Sequence, residues 1–524
     1  MPCKYGLTNG DFYVKITTKT TERWGILMNK RVLNLVNFVR GCEPRCPKDL
    51  YTPVVKQMEI NEKYGFDNTF LLQYDAMQRD DLRALFLENR NENTELGIWL
   101  EMCRELTETV GIPWRGRPGY DWDWYVDPGF LMAYEPKQRE ALIDEVFRRF
   151  REIFGEYPAV VGSWLLDAYS MNYMCERYRI KAFCVCREQY AVDAYTLWGG
   201  YYNGGYYAAK SNMICPAQTK ENAIPAPVFR MLGIDPIYAY EKHSGSTGCC
   251  TLEPTWESGK TSATVDWYFK TYFENPCLSH SHVTTGQENS FGWECFGAGY
   301  EMQAEKIAEL RKKGILSVEK LGDTGEAFKK AFDHSEPVAI CATEDWHEEG
   351  HKSVWYNCIS YRANLFVEDG RLFFRDIQMF DERFAEKYLT RPAGTWDATY
   401  ENLPIVDGFL WREEGKRAAI TFPCGVSMGE ITEEGKALRV SLIGAQEDAF
   451  VLLREDLMEI TGIASLSYTL GAPTAQVTCK DGCLTYTYRG FSYHLAVSGG
   501  IEEVENGFLL TPKNGKIILQ FVKK

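Results

Sequence analysis

CLSHSHVTTGQENSFGW, Cys277 to Trp293, reads as two kinds of chain joined at a glycine. Up to Thr285 the run reads as a strand, closing on the β-branched Val283, Thr284 and Thr285. Beyond Gly286 come Gln287, Glu288, Asn289 and Ser290 in a row, then Phe291, Gly292 and Trp293. A core strand does not tolerate four polar residues together, and a solvated loop does not need the aromatics. A strand that ends in a polar cluster is what the carboxyl end of a barrel strand looks like, where side chains turn toward one shared site.

The same break recurs upstream in FVRGCEPR, FLLQYDAM and GSWLLDAYS. β-Type runs are read at 31–39, 68–74, 95–102, 159–167, 180–186 and 277–285, with a weaker one at 234–240. Amphipathic segments lie between them. In KQREALIDEVFRRFREIFG, Leu142, Val146, Phe147 and Phe150 fall at helical intervals. Strands alternating with helices imply parallel strands and right-handed crossovers. The chain is therefore expected to form a seven-stranded β/α barrel over residues 1–330. An open doubly wound sheet also fits the alternation, but no Gly-rich phosphate fingerprint follows the first strand.

After Pro337 the pattern changes to short alternating runs such as RLFFRDIQ, ALRVSLIG, LTYTYRG and GKIILQFV, separated by EDG, KDG and KNG. Residues 331–524 are expected to be an all-β antiparallel sandwich. A length of 524 residues is too great for one compact core, which agrees with such a division.

Composition narrows the function classes. A net charge of −15 argues against a nucleic-acid partner, whose phosphates it would repel. No apolar run approaches the roughly 20 residues that span a bilayer, and the first residues lack the pattern of a signal peptide. The 17 cysteines show no disulfide-framework spacing, so a reduced, cytoplasmic protein is expected. Self-association is left open, and no cofactor is expected. Aromatics reach 14%, with 31 Tyr and 14 Trp, many in polar segments such as GYDWDWYVDPGF and YTLWGGYYNGGYYAAKSN. Flat rings beside hydrogen-bonding residues, Trp198 among them, suit sugars, whose faces are apolar and whose edges are hydroxyls. Packing of long loops against the barrel rim explains the same rings equally well.

The candidate site follows from the strand ends. These are Arg40, Glu43 and Arg45; Gln73 and Asp75; Glu101; Asp167; Arg187 and Glu188; and Gln287, Glu288 and Asn289, with Trp293 beyond. So many acids among so few arginines would be costly to bury for structure alone. Any single one reads as well as a rim ion pair. Gln287 and Asn289 offer a donor and an acceptor each to sugar hydroxyls.

These strand ends, followed by an all-β region, resemble the superfamily of glycoside hydrolase families 57 and 38 and polysaccharide deacetylases. VGSWLLDAYSM is similar to the family 57 fourth-strand motif, with Asp167 where that family has a Glu and where family 38 has an Asp. GQENSFGW has Glu288 where family 57 has an Asp. NFVRGCEPR, NTFLLQYDAM, SWLLDAYS, FRMLGIDPIY and GQENSFGW also resemble a little-characterised bacterial family catalogued as a domain of unknown function, over most of residues 20–330. The resemblance implies a glycoside hydrolase acting on an oligo- or polysaccharide, with Asp167 as nucleophile, Glu288 as proton donor and retention of configuration. Arg40, Arg45 or Arg187 would keep Asp167 ionised, and Phe291 and Trp293 would raise Glu288 by desolvation.

Other readings are weighed against this one. The deacetylases and family 38 enzymes hold a divalent metal, but the first strand carries no Asp-Asp or His-x-His. His280 and His282 are the one candidate pair on a shared strand face, without an acidic third ligand nearby in sequence. No metal is expected, which makes a metal-dependent deacetylase the weaker reading. A non-catalytic carbohydrate-binding protein would keep the aromatics and lose the acids. Cys186 beside Arg187 admits thiol chemistry, but no His lies near it in sequence.

Overall fold

A computed structural model describes residues 30–46, 48–186, 196–240, 251–255 and 261–523. The first half is one sheet. Its strands are β1 (Lys30–Val39), β2 (Asn68–Leu72), β3 (Thr94–Trp99), β4 (Val160–Ser163), β5 (Ala182–Cys186), β6 (Gly205–Ala209), β7 (Asn212–Pro216), β8 (Ala223–Met231), β9 (His280–Thr285) and β10 (Ser317–Glu319). β1 to β5 pair in sequence order, all parallel, and β5 continues in parallel to β8. β9 and β10 both run parallel to β1. Among the described residues no ladder joins β8 to β9. The gap is bridged by side chains, with the Phe229 ring 4.6 Å from that of His282. The barrel is nearly closed.

Two expectations are corrected. The barrel sheet has eight parallel strands rather than seven, because β10 inserts between two helices, Trp293–Lys312 and Leu321–Ala331. Three residues are too few to show a period in the sequence. The weak strand expected at 234–240 is a turn, and its place is taken by β8, AIPAPVFRM. Pro225 and Pro227 read as strand breakers. The ladder to β5 starts only at Val228, after both prolines, so neither is asked for an N–H on that side.

Local rules account for the rest. Every residue of β2 and β5 is buried, as in a parallel sheet covered on both faces. The helix Pro136–Phe154 begins in a capping box between Glu135 and Gln138 and ends at Gly155, with φ of 85°. Its buried stripe is Leu142, Ile143, Val146, Phe147, Phe150 and Phe154. No helix among the described residues is long and apolar enough to cross a membrane.

From Val338 to Val522 the chain forms one large antiparallel sheet of 16 strands. It bends through the long strand Phe491–Val504. Phe491–Ser498 pairs with Cys483–Tyr488 and Lys516–Val522, whereas Gly499–Val504 pairs with Gly507–Pro512. A Cβ at Gly499 would lie 2.4 Å from the Thr511 carbonyl oxygen, so the crossing point needs glycine. One apolar cluster takes residues from both ends of this sheet, Leu365 and Phe374 with Val451 and Leu519. A second joins it to the barrel, packing Tyr202, Tyr240 and Tyr268 against Trp355 and Phe366.

Candidate active site

Parallel strands all point their carboxyl ends the same way, so β1, β2, β3 and β9 deliver their terminal residues to one mouth. The glycine of the opening stretch is a steric requirement there. Gly286 has φ of 124°, and a Cβ on it would stand 2.1 Å from the Val36 carbonyl oxygen. Only glycine lets β9 leave β1 at that angle. Asn289 then clamps the end of β1: its Oδ1 accepts from Arg40 N at 2.9 Å and its Nδ2 donates to Arg40 O at 3.0 Å.

The clamp aims Arg40 into the centre of a buried cluster. Arg40 Nη1 donates to Glu288 Oε2 at 2.5 Å, and its Nη2 donates to Glu101 Oε2 at 3.1 Å. The guanidinium carbon lies 4.0 Å from the centre of the Trp122 ring, whose Nε1 donates to Glu101 Oε2 at 2.8 Å. Ser290 Oγ donates to Glu288 Oε1 and accepts from Arg40 Nη1 at 3.2 Å. Arg45 approaches Glu288 Oε1 at 3.8 Å while Glu43 holds it through Oε1, at 2.7 Å from Nε. Arg40, Glu101 and Glu288 are all buried. Burial pushes the Glu101 carboxyl above the usual range, with Arg40 opposing and Glu288 adding to the shift. Glu43 is held low, its bonds from Arg45 outweighing partial burial. Asp75 sits at the neighbouring strand end, raised by burial against bonds from Gly41, Cys42 and Ala76. Gln73 is fully buried, with neither amide atom partnered.

Of the residues expected at the site, Arg40, Glu43, Arg45, Glu101 and Glu288 share this network. Gln73 and Asp75 stand at the adjoining strand end, and Arg187 and Glu188 lie outside the described residues. Gln287 and Asn289 spend their amides on the backbone: Gln287 Oε1 accepts from Glu288 N at 2.7 Å, and its Nε2 donates to Pro254 O at 3.3 Å. Trp293 opens the following helix and packs against Phe296 and Tyr300. Trp198 is buried between barrel and sheet, donating to Asp407 Oδ2 at 2.9 Å.

Asp167 occupies a different network. It is fully buried and caps the helix Ala168–Arg177, accepting from Ser170 N at 2.9 Å and from Ser170 Oγ at 2.7 Å. Arg139 Nη1 donates to its Oδ1 at 2.9 Å. Glu386, from the region of the second sheet, caps the same turn by accepting from Ala168 N at 2.9 Å. Burial, and then the charge of Asp167, push Glu386 up to about 8. Among the described residues Asp167, held by Ser170 and Arg139, shares no hydrogen-bond or ion-pair partner with Glu288, held by Arg40, Arg45 and Ser290.

Trp122 and Ser290 were not anticipated as partners of the acids, although the aromatic run GYDWDWYVDPGF and the polar row after Gly286 contain them. The imidazoles of His280 and His282 are engaged elsewhere. His280 Nε2 accepts from Gly205 N at 2.7 Å, and His282 Nε2 stands 2.7 Å from Asn34 Oδ1. Desolvation lowers them to about 4 and about 3. Among the described residues neither has a carboxylate partner, so this pair does not fit a catalytic metal. Among the described residues the group with metal-ligand spacing is Asp345, Glu349 and His351, which closes on the Tyr238 hydroxyl.

No protein-family model and no curated protein matches the sequence. The resemblance to a catalogued bacterial family therefore rests on the quoted motifs alone. Among solved structures, the fold is similar to a Parabacteroides distasonis protein whose assignment as a glycoside hydrolase/deacetylase is itself provisional. The TM-score is 0.59 at 13% identity, over 75% of this chain and 94% of that one. A Pseudomonas aeruginosa PAO1 protein, provisionally a polysaccharide deacetylase, follows at TM-score 0.37 and 11% identity, over 60% of this chain and 95% of that one. An allantoinase stands at TM-score 0.35 and 12% identity, over 58% and 92% of the two chains. The last two are too distant to carry an argument, and the first shows a shared fold.

Proposed function

We propose that this chain is a carbohydrate-active hydrolase that cleaves a glycosidic bond with two carboxylates at the barrel mouth. The observation that carries the reading is the pairing of Glu101 and Glu288 on one guanidinium, beside Trp122. Glycosidic cleavage needs one carboxyl that gives a proton and one that supports positive charge at the anomeric carbon. Glu101, raised by burial, suits the first role. Glu288, ion-paired to Arg40 and near Arg45, suits the second, as nucleophile or as base toward water.

Asp167 as nucleophile, with Glu288 as donor, is the competing assignment. Its carboxylate already accepts two bonds from Ser170 and one from Arg139, which leaves less of it for a substrate. The test is release of reducing ends from α- and β-linked glycans by the full chain, by Glu101→Gln, by Glu288→Gln and by Asp167→Asn. Loss of several orders of magnitude in the first two variants, with residual turnover per folded molecule in the third, supports Glu101 and Glu288. The reverse pattern transfers the nucleophile to Asp167. Acetate release without chain cleavage, abolished by a chelator and restored by a divalent ion, would replace the glycosidase reading with a metal-dependent deacetylase.

A further inference from the structure

The aromatic surface does not stop at the buried acids. Trp122, which holds Glu101, is the innermost ring of a run that leads outward. Its centre lies 6.0 Å from that of Trp124, Trp124 lies 5.6 Å from Tyr125, and Tyr125 lies 4.3 Å from Trp396. Burial falls along the same path. Trp122 is buried, Trp124 and Tyr125 are half-buried, and Trp396 is 56% exposed. The first three rings sit on the connection between β3 and β4, which carries Glu101 near its start. Trp396 comes from the second half of the chain, far away in sequence.

This run is fixed before any ligand arrives. Val126 N donates to Trp396 O at 3.0 Å, which ties the distant segment to the barrel loop. The Arg117 guanidinium packs 4.2 Å from the centre of Tyr120, 4.1 Å from Trp124 and 4.5 Å from Tyr125. Asp123 holds that guanidinium through two contacts of 2.8 Å. Rigid rings lose little conformational freedom on binding, so their contacts convert efficiently into affinity. A tryptophan recruited only to seal the rim would be covered, whereas this one keeps most of its surface in water.

We propose that Trp396, with Tyr125 and Trp124, forms a distal saccharide-stacking platform, and that the ligand is an oligosaccharide reaching from it to Glu101 and Glu288. The proposal rests on the carbohydrate reading above and adds the length of the ligand to it. The apolar faces of successive sugar rings would lie on the rings, and their hydroxyl edges would remain in solvent. Trp396 would then be a specificity residue for chain length, with no part in the chemistry.

The test is isothermal titration of the full-length chain, Trp396→Ala and Trp396→Tyr with α-glucan, β-glucan and chitin ladders from disaccharide to hexasaccharide. In the unchanged chain, affinity for one ladder should rise with length by about tenfold, the size of one or two ring contacts. Trp396→Ala should lose that rise while binding the shortest member normally, and Trp396→Tyr should recover much of it. Removal of an exposed side chain leaves the fold intact, checked by an unchanged melting temperature. Retention of the full length dependence in Trp396→Ala would overturn the platform and leave the carbohydrate reading standing. Absence of saccharide binding by any form would overturn both.

Discussion

Glu101 and Glu288 stand on the two sides of one guanidinium, Glu288 at 2.5 Å from Arg40 Nη1 and Glu101 at 3.1 Å from Nη2. They arrive from the ends of β3, two strands away from the strand that carries Arg40, and of β9, which pairs with that strand directly. Two carboxyls depend on one buried cation, and Arg45 approaches Glu288 from the rim at 3.8 Å.

Arg40→Met should therefore be costly beyond its volume. It leaves two carboxylates buried without their cation, and breaking such a pair costs about 3–5 kcal/mol. Urea denaturation at neutral pH should show that loss. Adding Glu101→Gln to Arg40→Met should recover part of it. An additive loss in the double variant would mean that the three groups are not coupled.

Asp167→Asn should lower stability by about 3–5 kcal/mol, because it strips the buried Arg139 of its counter-charge while keeping a capping residue. The check is the denaturation midpoint set beside turnover per folded molecule. A fully stable variant without activity would place Asp167 in the chemistry instead.

Glu386 gives stability a downward slope with pH. Its carboxyl is raised from 4.5 to about 8, so between those values the folded state keeps a proton that the unfolded chain has released. Stability is then lost as pH rises through that window. Asp235 and Asp407, each raised to about 6 by burial, act in the same sense at lower pH. Melting temperature measured from pH 5 to 9 should fall more steeply for the unchanged chain than for Glu386→Gln. Parallel curves would remove Glu386 as the cause.

His280 and His282 act with the opposite sign. Burial lowers them from 6.5 to about 4 and about 3, so the unfolded chain takes up protons first as the solution is acidified. Their contribution is complete above pH 6.5 and is lost as pH falls through the folded values. His282→Gln keeps an N–H at the Nε2 position for Asn34 and has no proton to gain. Its melting temperature should decline less between pH 6.5 and 4 than that of the unchanged chain, read by calorimetry.

Gly286→Ala tests the exit of β9. A Cβ 2.1 Å from the Val36 carbonyl oxygen cannot be accommodated without moving β1, and φ of 124° is hostile to an L side chain. The variant should lose at least about 1–3 kcal/mol of stability, the cost of local backbone strain. Because Arg40 sits on the same strand end, activity should fall with it. A neutral substitution would show that the strand ends are looser than drawn.

What the sequence determined by itself is whatever a local period or a strand direction encodes. The stripe of Leu142, Val146, Phe147 and Phe150 identified a helix, alternation identified the late strands, and polar residues after each apolar run identified the ends of parallel strands. Since such ends share one side of a barrel, Arg40, Glu101 and Glu288 could be placed together before any coordinates existed. The tertiary structure decided the partners. Asp167 and Glu288 look alike in sequence, each an acid after a strand, yet Asp167 turns onto Arg139 and the first turn of its own helix. Glu288 turns onto Arg40, whose backbone Asn289 holds. Trp396 joins the rings of the β3–β4 connection only because the second sheet packs against the barrel. β8 and β10 are set by packing for the same reason: a proline-bearing strand and a three-residue strand carry no period, and their neighbours alone make them strands. Periodicity is a property of consecutive residues, whereas the choice of partner for a buried charge is settled by desolvation among side chains that only folding brings within reach.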